Sequence, residues 1–150
     1  MNLHIRKRSQ RGASLAELAV ALPVLTLIML GVVDFGRVWT EGLALSSAVR
    51  AGAQYGSEST AAALDVYGIT RSVTNDLEDI IDASDIKAIT VTSYCECENG
   101  TSIDCDDKCG VVHPRTYVNV RVEKTFRTLF PYPGIPKEIN LVRQARCRAR

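Results

Sequence analysis

RKRSQRGASLAELAVALPVLTLIMLGVVDFGRVWTEGLALSSAVRAGAQY, Arg6 to Tyr55, is the stretch on which the reading of the whole chain turns. Between Glu17 and Asp34 stand sixteen residues without a charge, LAVALPVLTLIMLGVV. Counted from Ala13 to Val33 the apolar segment is twenty-one residues. At about 1.5 Å per helical residue that length crosses a hydrocarbon core of roughly 30 Å. Its flanks differ in charge: Arg6, Lys7, Arg8 and Arg11 precede it, while Asp34, Arg37 and Glu41 follow it with mixed sign. The positive-inside bias then holds the N-terminus in the cytoplasm and puts the remainder of the chain outside. An uncleaved single-pass anchor accounts for hydropathy and flanks alone. A secretory signal fits less well, because the run exceeds the usual roughly 7 to 15 residues. The nearest small-residue cleavage site, around Ala44 to Ala48, also lies beyond three charges.

Glu17 is the one charge inside the segment. A carboxylate in an apolar helix is costly in lipid and usually has a partner or a task. A cut between Gly12 and Ala13 would create that partner. The new α-amino group would stand four residues before Glu17, within helical reach of it or of the Glu of a neighbouring copy. Without the cut, Glu17 would stay near the membrane surface, its carboxylate reaching toward water and the basic leader.

Basic leader, Gly12, Ala13, Glu17 as the fifth residue after the cut, and an apolar helix together resemble the class III signal of type IV pilin-like proteins. Arg11 to Glu17, Leu22-Pro23, Asp34-Phe35-Gly36-Arg37 and the Ala48 to Gly56 segment AVRAGAQYG narrow this to a resemblance to the TadE-like family of tight-adherence (Tad/Flp) pilus assembly. The resemblance covers the first third of the chain. It implies a pseudopilin or minor pilin, cut after Gly12 by a prepilin peptidase and anchored in the bacterial inner membrane. It further implies partnership with other pilins and with the inner-membrane Tad machinery, and a role in pilus biogenesis and surface adherence. Glu17 would serve charge pairing and register during assembly.

The 150 residues, 46% hydrophobic and 23% charged, make one modest globular unit plus an anchor. We expect a leader over 1–12, an N-terminal helix over 13–57 with 13–33 in the membrane, and an extracytoplasmic α+β domain over 58–150. Net charge is +1, and loss of the leader's four positives would leave −3. With no basic, aromatic-laced stripe outside the leader, a nucleic-acid partner is excluded and membrane lipid is retained.

The helix is expected to run past the membrane. Phe35, Val38, Trp39, Leu43, Leu45, Ala48 and Val49 continue with polar residues interleaved, as on an amphipathic helix. Forty-odd residues make a rod of roughly 60 Å. Pro23 predicts a kink and not a break. Trp39 falls near the outer membrane surface, where amphipathic aromatics collect. Ala44, Ala48, Gly52 and Gly56 recur every fourth position, a row that admits close packing, here against the chain's own fold ahead of another subunit. A second helix is predicted from Thr60 to about Asp82, capped by Ser59 or Thr60, its polar side carrying Asp76, Glu78, Asp79 and Asp82.

From Ile86 the period becomes two. IKAITVTSY, TYVNVRVEKTF and EINLVRQARCR read as three strands of a small antiparallel sheet, with Val118, Val120 and Val122 on one face. LFPYPGIP, with three prolines and a glycine, argues for an irregular connection. The projecting half of the long helix can cover the sheet's apolar face, and the resemblance to pilins implies the same arrangement.

Cys95, Cys97, Cys105 and Cys109 lie in a polar loop between two strands. Outside the cytoplasm two disulfides are the expectation. Three connectivities are possible; pairing Cys95 with Cys97 would be strained, so crossing or nested pairs are preferred. A zinc site is the rival, but C-x-C and C-x3-C spacings fit it poorly, so no metal is expected. Cys147 is left over, read as a small apolar residue in a strand ahead of a free thiol or an intermolecular bridge. With only His4 and His113, no nucleophile–base arrangement and no phosphate-cradling loop, neither catalysis nor a cofactor is expected. Beside the pseudopilin stand two other readings: a permanently anchored extracytoplasmic binding module, with the cysteine loop as its recognition surface, and a secreted domain.

Overall fold

The computed structural model describes residues 11–78, 80–132 and 134–150, with side chains from residue 14 onward. Arg6, Lys7, Arg8 and Asp79 lie outside the described residues. The architecture is α+β. Helix α1 (Arg11–Gly56) is followed by α2 (Thr60–Leu64), α3 (Val66–Leu77), a 3-10 turn (Ala83–Asp85), and strands β1 (Ile86–Glu96), β2 (Ser102–Ile103), β3 (Arg115–Arg127) and β4 (Glu138–Arg148). The chain divides into two compact units, Met1–Gly36 and Arg37–Arg150.

In the first unit, α1 runs unbroken through Pro23, and Thr26 Oγ1 donates to the Leu22 carbonyl at 2.8 Å. The large apolar side chains from Leu15 to Val33 are exposed, apart from half-buried Leu30. Among the described residues this is the one helix long and apolar enough to cross a membrane.

The second unit is an antiparallel sheet of order β2-β1-β3-β4 with helices on one face. Three long strands stand where the alternating pattern puts them, and the fourth, β2, is a two-residue ribbon inside the cysteine loop, too short to show a period. Central β3 turns Thr116, Val118, Val120, Val122, Lys124 and Phe126 inward. Leu45, Ala48, Val49 and Ala53 of α1, with Ile69, Val73 and Leu77 of α3, complete the core. Burial of each large apolar side chain such as Leu45 or Phe126 contributes about 1.5–3 kcal/mol.

The row of small residues sets how closely these layers approach. A Cβ on Gly52 would lie 2.5 Å from Val73 Cγ2, and one on Gly56 would lie 3.1 Å from Val118. Bare backbone at these two positions lets α3 and β3 close onto α1, so the row serves packing within the domain. The C-terminus is pinned to the end of α1, where Arg150 N–H donates to the Ser57 carbonyl at 3.1 Å.

The expected second helix is two helices. Ser59 caps α2 through the Ala62 N–H, and the chain breaks at Asp65, whose carboxylate caps α3 through the Gly68 N–H at 2.9 Å. Ser and Asp offer the backbone a local alternative to helix continuation. α3 stops at Leu77, and Ile81 is buried from the turn beyond it.

Candidate assembly segment

Helical geometry places positions 13 and 17 of α1 one turn apart on the same face. Gly12 and Ala13 stand in the first turn of the described helix, and the side chains of Arg11 and Ala13 are outside the described set. Glu17 is exposed among the apolar side chains that follow it. The structure thus keeps Gly12, Ala13 and Glu17 within two turns of one helix.

Where α1 enters the second unit its side chains become charged and are matched by the sheet. Lys124 is 3% exposed, yet it sits on the apolar face of β3, and its Nζ donates to Glu41 Oε2 at 2.6 Å. Asp85 stands 3.9 Å from the same ammonium, and Arg37 lies 3.8 Å from Glu41 one turn earlier. The Arg37 guanidinium also covers the Phe126 ring at 5.1 Å and reaches the Arg127 carbonyl. A buried Lys is tolerated only where a carboxylate meets it. Glu41 and Lys124 therefore fix helix against strand at one register. Sequence reasoning missed this pair, although the alternation Val118, Val120, Val122, Lys124, Phe126 puts a lysine on the inward face.

The other end of α1 is fixed by Tyr55, whose hydroxyl donates to Asp65 Oδ2 at 2.9 Å. The Gly68 N–H, and next the Tyr55 hydroxyl, hold the Asp65 carboxyl below its ordinary value; the bond to Asp65 raises the Tyr55 phenol. A Cβ on Gly68 would collide with both side chains.

At the far end of the sheet the structure bridges Cys95 with Cys105 and Cys97 with Cys109, a crossing pattern with Cα separations of 5.1 and 5.6 Å. Both separations suit a disulfide. The bridges tie down a loop whose apolar tip, Val111 and Val112, is exposed. Cys147, partnered with Val118 across β3 and β4, packs half-buried against the core. On the outer face of the sheet Arg146 lies over Tyr117 and Tyr94, at 4.2 and 5.0 Å, and pairs with Glu96 at 2.8 Å. This cluster was also missed, because it depends on strand register. Among the described residues no three His, Cys, Asp or Glu side chains converge on a metal-holding arrangement.

Residues 12–54 match the family described as TadE-like protein. The matched segment contains Gly12, Ala13, Glu17, Leu22-Pro23, Asp34 to Arg37 and the small-residue row as far as Gly52. No curated protein and no solved structure matches the chain.

Proposed function

We propose that this chain, TadE-like through its N-terminal segment, is a pseudopilin or minor pilin of a Tad/Flp-type pilus. In this reading a prepilin peptidase cuts it between Gly12 and Ala13. The chain sits in the bacterial inner membrane with its basic leader in the cytoplasm and the domain from Arg37 onward outside. It acts with other pilins and with the inner-membrane Tad machinery in pilus biogenesis and surface adherence. The observation that carries the reading is the family match across Gly12, Ala13 and Glu17, on a helix whose large apolar side chains from Leu15 to Met29 stay exposed.

The roles follow from chemistry. Gly12 offers the peptidase a residue without a side chain before the cut. Ala13 supplies the new ammonium. Glu17, one turn on, supplies the carboxylate that pairs with it, on the same subunit or a neighbour, where a low dielectric strengthens the attraction. Arg6, Lys7, Arg8 and Arg11 hold the leader on the cytoplasmic side until the cut removes them.

Two substitutions test this in a piliated host. Glu17→Gln keeps shape and membrane insertion but removes the charge, so the protein should accumulate in the membrane while piliation falls. Gly12→Val should leave the leader attached. Normal piliation with Glu17→Gln, or normal processing with Gly12→Val, contradicts the proposal and returns the chain to a permanent anchor.

A further inference from the structure

The connection between β3 and β4 carries an apolar surface that the core does not use. Leu129, Phe130 and Ile135 are 56, 42 and 50% exposed. The loop that presents them is tied at its base and turned at its tip. Thr128 N–H donates to the Lys137 carbonyl at 3.0 Å, and Ile135 N–H to the Tyr132 carbonyl at 3.2 Å. Gly134 holds the turn at φ +83°, a left-handed conformation that glycine adopts without strain.

The position of this loop in the second unit is informative. Its first residues follow Arg127, whose carbonyl accepts from Arg37 at 3.5 Å, and Arg37 also covers Phe126. Arg37 comes four residues after Val33, the last residue of the uncharged run. Even a fully extended chain of four residues spans no more than about 14 Å. The Arg37 end of the domain is therefore tethered close to wherever that run leaves the hydrocarbon. The cysteine loop, at the other end of β3, is about 40 Å away at 3.3 Å per strand residue.

From this tether we infer that Leu129, Phe130 and Ile135 seat the domain on the outer face of the bilayer, dipping into the boundary between headgroups and acyl chains. The tether supplies the occupant, because lipid is the one apolar partner that connectivity keeps within reach of this loop. Trp39, 62% exposed and two residues beyond Arg37, suits the same depth, where tryptophan is favoured. Exposed Lys137 at the base of the loop suits phosphate headgroups, while Arg127 beside it pairs with Glu138 at 3.2 Å and Asp85 at 3.7 Å. The seat would limit tilting of the domain about the end of its anchor. The inference rests on the membrane-anchored reading above and goes beyond it in naming the surface.

The test uses the full chain in vesicles of phosphatidylethanolamine and phosphatidylglycerol. Trp39→Phe removes the single tryptophan, and Phe130→Trp, Ile135→Trp or Val111→Trp then places one reporter. A side chain about 5–10 Å into the headgroup–acyl boundary should lose emission in vesicles whose lipids are brominated near the top of the acyl chain. That loss is expected at positions 130 and 135, and position 111 should keep its emission and be quenched by aqueous iodide. Full iodide quenching with no bromine effect at 130 and 135, in a chain that floats with the vesicles, overturns this inference and leaves the anchor intact. Iodide protection that grows with protein-to-lipid ratio, again without bromine quenching, overturns it in favour of a second copy. A chain that fails to float overturns both this inference and the reading beneath it.

Discussion

The two halves of α1 are made of similar residues and meet opposite surroundings. Leu18, Leu22, Leu25 and Ile28 are each more than half exposed, whereas Leu45 and Ala48 are fully buried. The difference lies in what is interleaved. From Leu18 to Val33 no charge interrupts the apolar run, so no face of the helix is marked for a partner in water. Beyond Arg37, Arg37, Glu41, Ser46 and Arg50 are set between the apolar residues and leave a stripe that fits the sheet. One helix thus carries two patterns of apolar residues, an uninterrupted run long enough to cross a membrane and a stripe that fits the sheet.

Leucine substitutions should separate the halves most widely. Leu45→Ala should destabilise the domain by about 2–5 kcal/mol through lost burial and a residual cavity. Leu25→Lys should leave the domain's melting unchanged and cost membrane insertion about 3 kcal/mol. Thermal melting in detergent micelles and vesicle flotation read the two effects, and a Leu25→Lys chain that melts early would break the comparison. The next largest effect is expected at the buried ion pair. Glu41→Ala strands the Lys124 ammonium and should cost about 3 kcal/mol, the lower end of the range for such losses because Asp85 remains nearby. The double variant Glu41→Leu/Lys124→Met should recover most of it, and a double variant no better than the single would show that the loss does not come from a stranded charge.

The glycines sharpen the contrast further. Gly52→Ala forces Val73 aside and should cost about 1–3 kcal/mol by overpacking, while Gly31→Ala meets nothing within 4 Å and should leave the melting temperature where it was. Equal effects at both positions would contradict the packing described for α1. The smallest effect is expected at Asp65. Its folded value lies below the ordinary 3.8, so the carboxylate adds stability above that pH and loses it as pH falls through the folded value. Asp65→Ala should lower the melting temperature at pH 6, and the gap from the unchanged protein should narrow toward pH 3. A gap independent of pH would mean that the charge of Asp65 does not matter.

How much of this was legible in the sequence depends on how local each signal is. The apolar run, the change to period two at Ile86 and the inward row Val118, Val120, Val122 are patterns of neighbouring residues, and each marks an element the structure contains. The break at Asp65 was hidden because Leu64, Tyr67, Val73 and Leu77 keep helical spacing across it. Only the bonds to Gly68 and Tyr55 reveal Asp65 as a cap. Glu41 with Lys124 and Arg146 with Tyr94 and Tyr117 join residues 83, 52 and 29 positions apart, so their pairing exists only once strand register and helix rotation are set. The segment around Gly12, Ala13 and Glu17 was legible in another way, as a spacing of residue types that lies within the family match and on one helix.

The central claim is that the chain matures by loss of its basic leader. The direct test is the N-terminal sequence and intact mass of the protein recovered from the membranes of its own host. A chain beginning at Ala13 is the result expected of a processed pseudopilin, with the new ammonium one turn from Glu17. A chain that still begins at Met1 would contradict it and leave a permanent anchor carrying an extracytoplasmic domain.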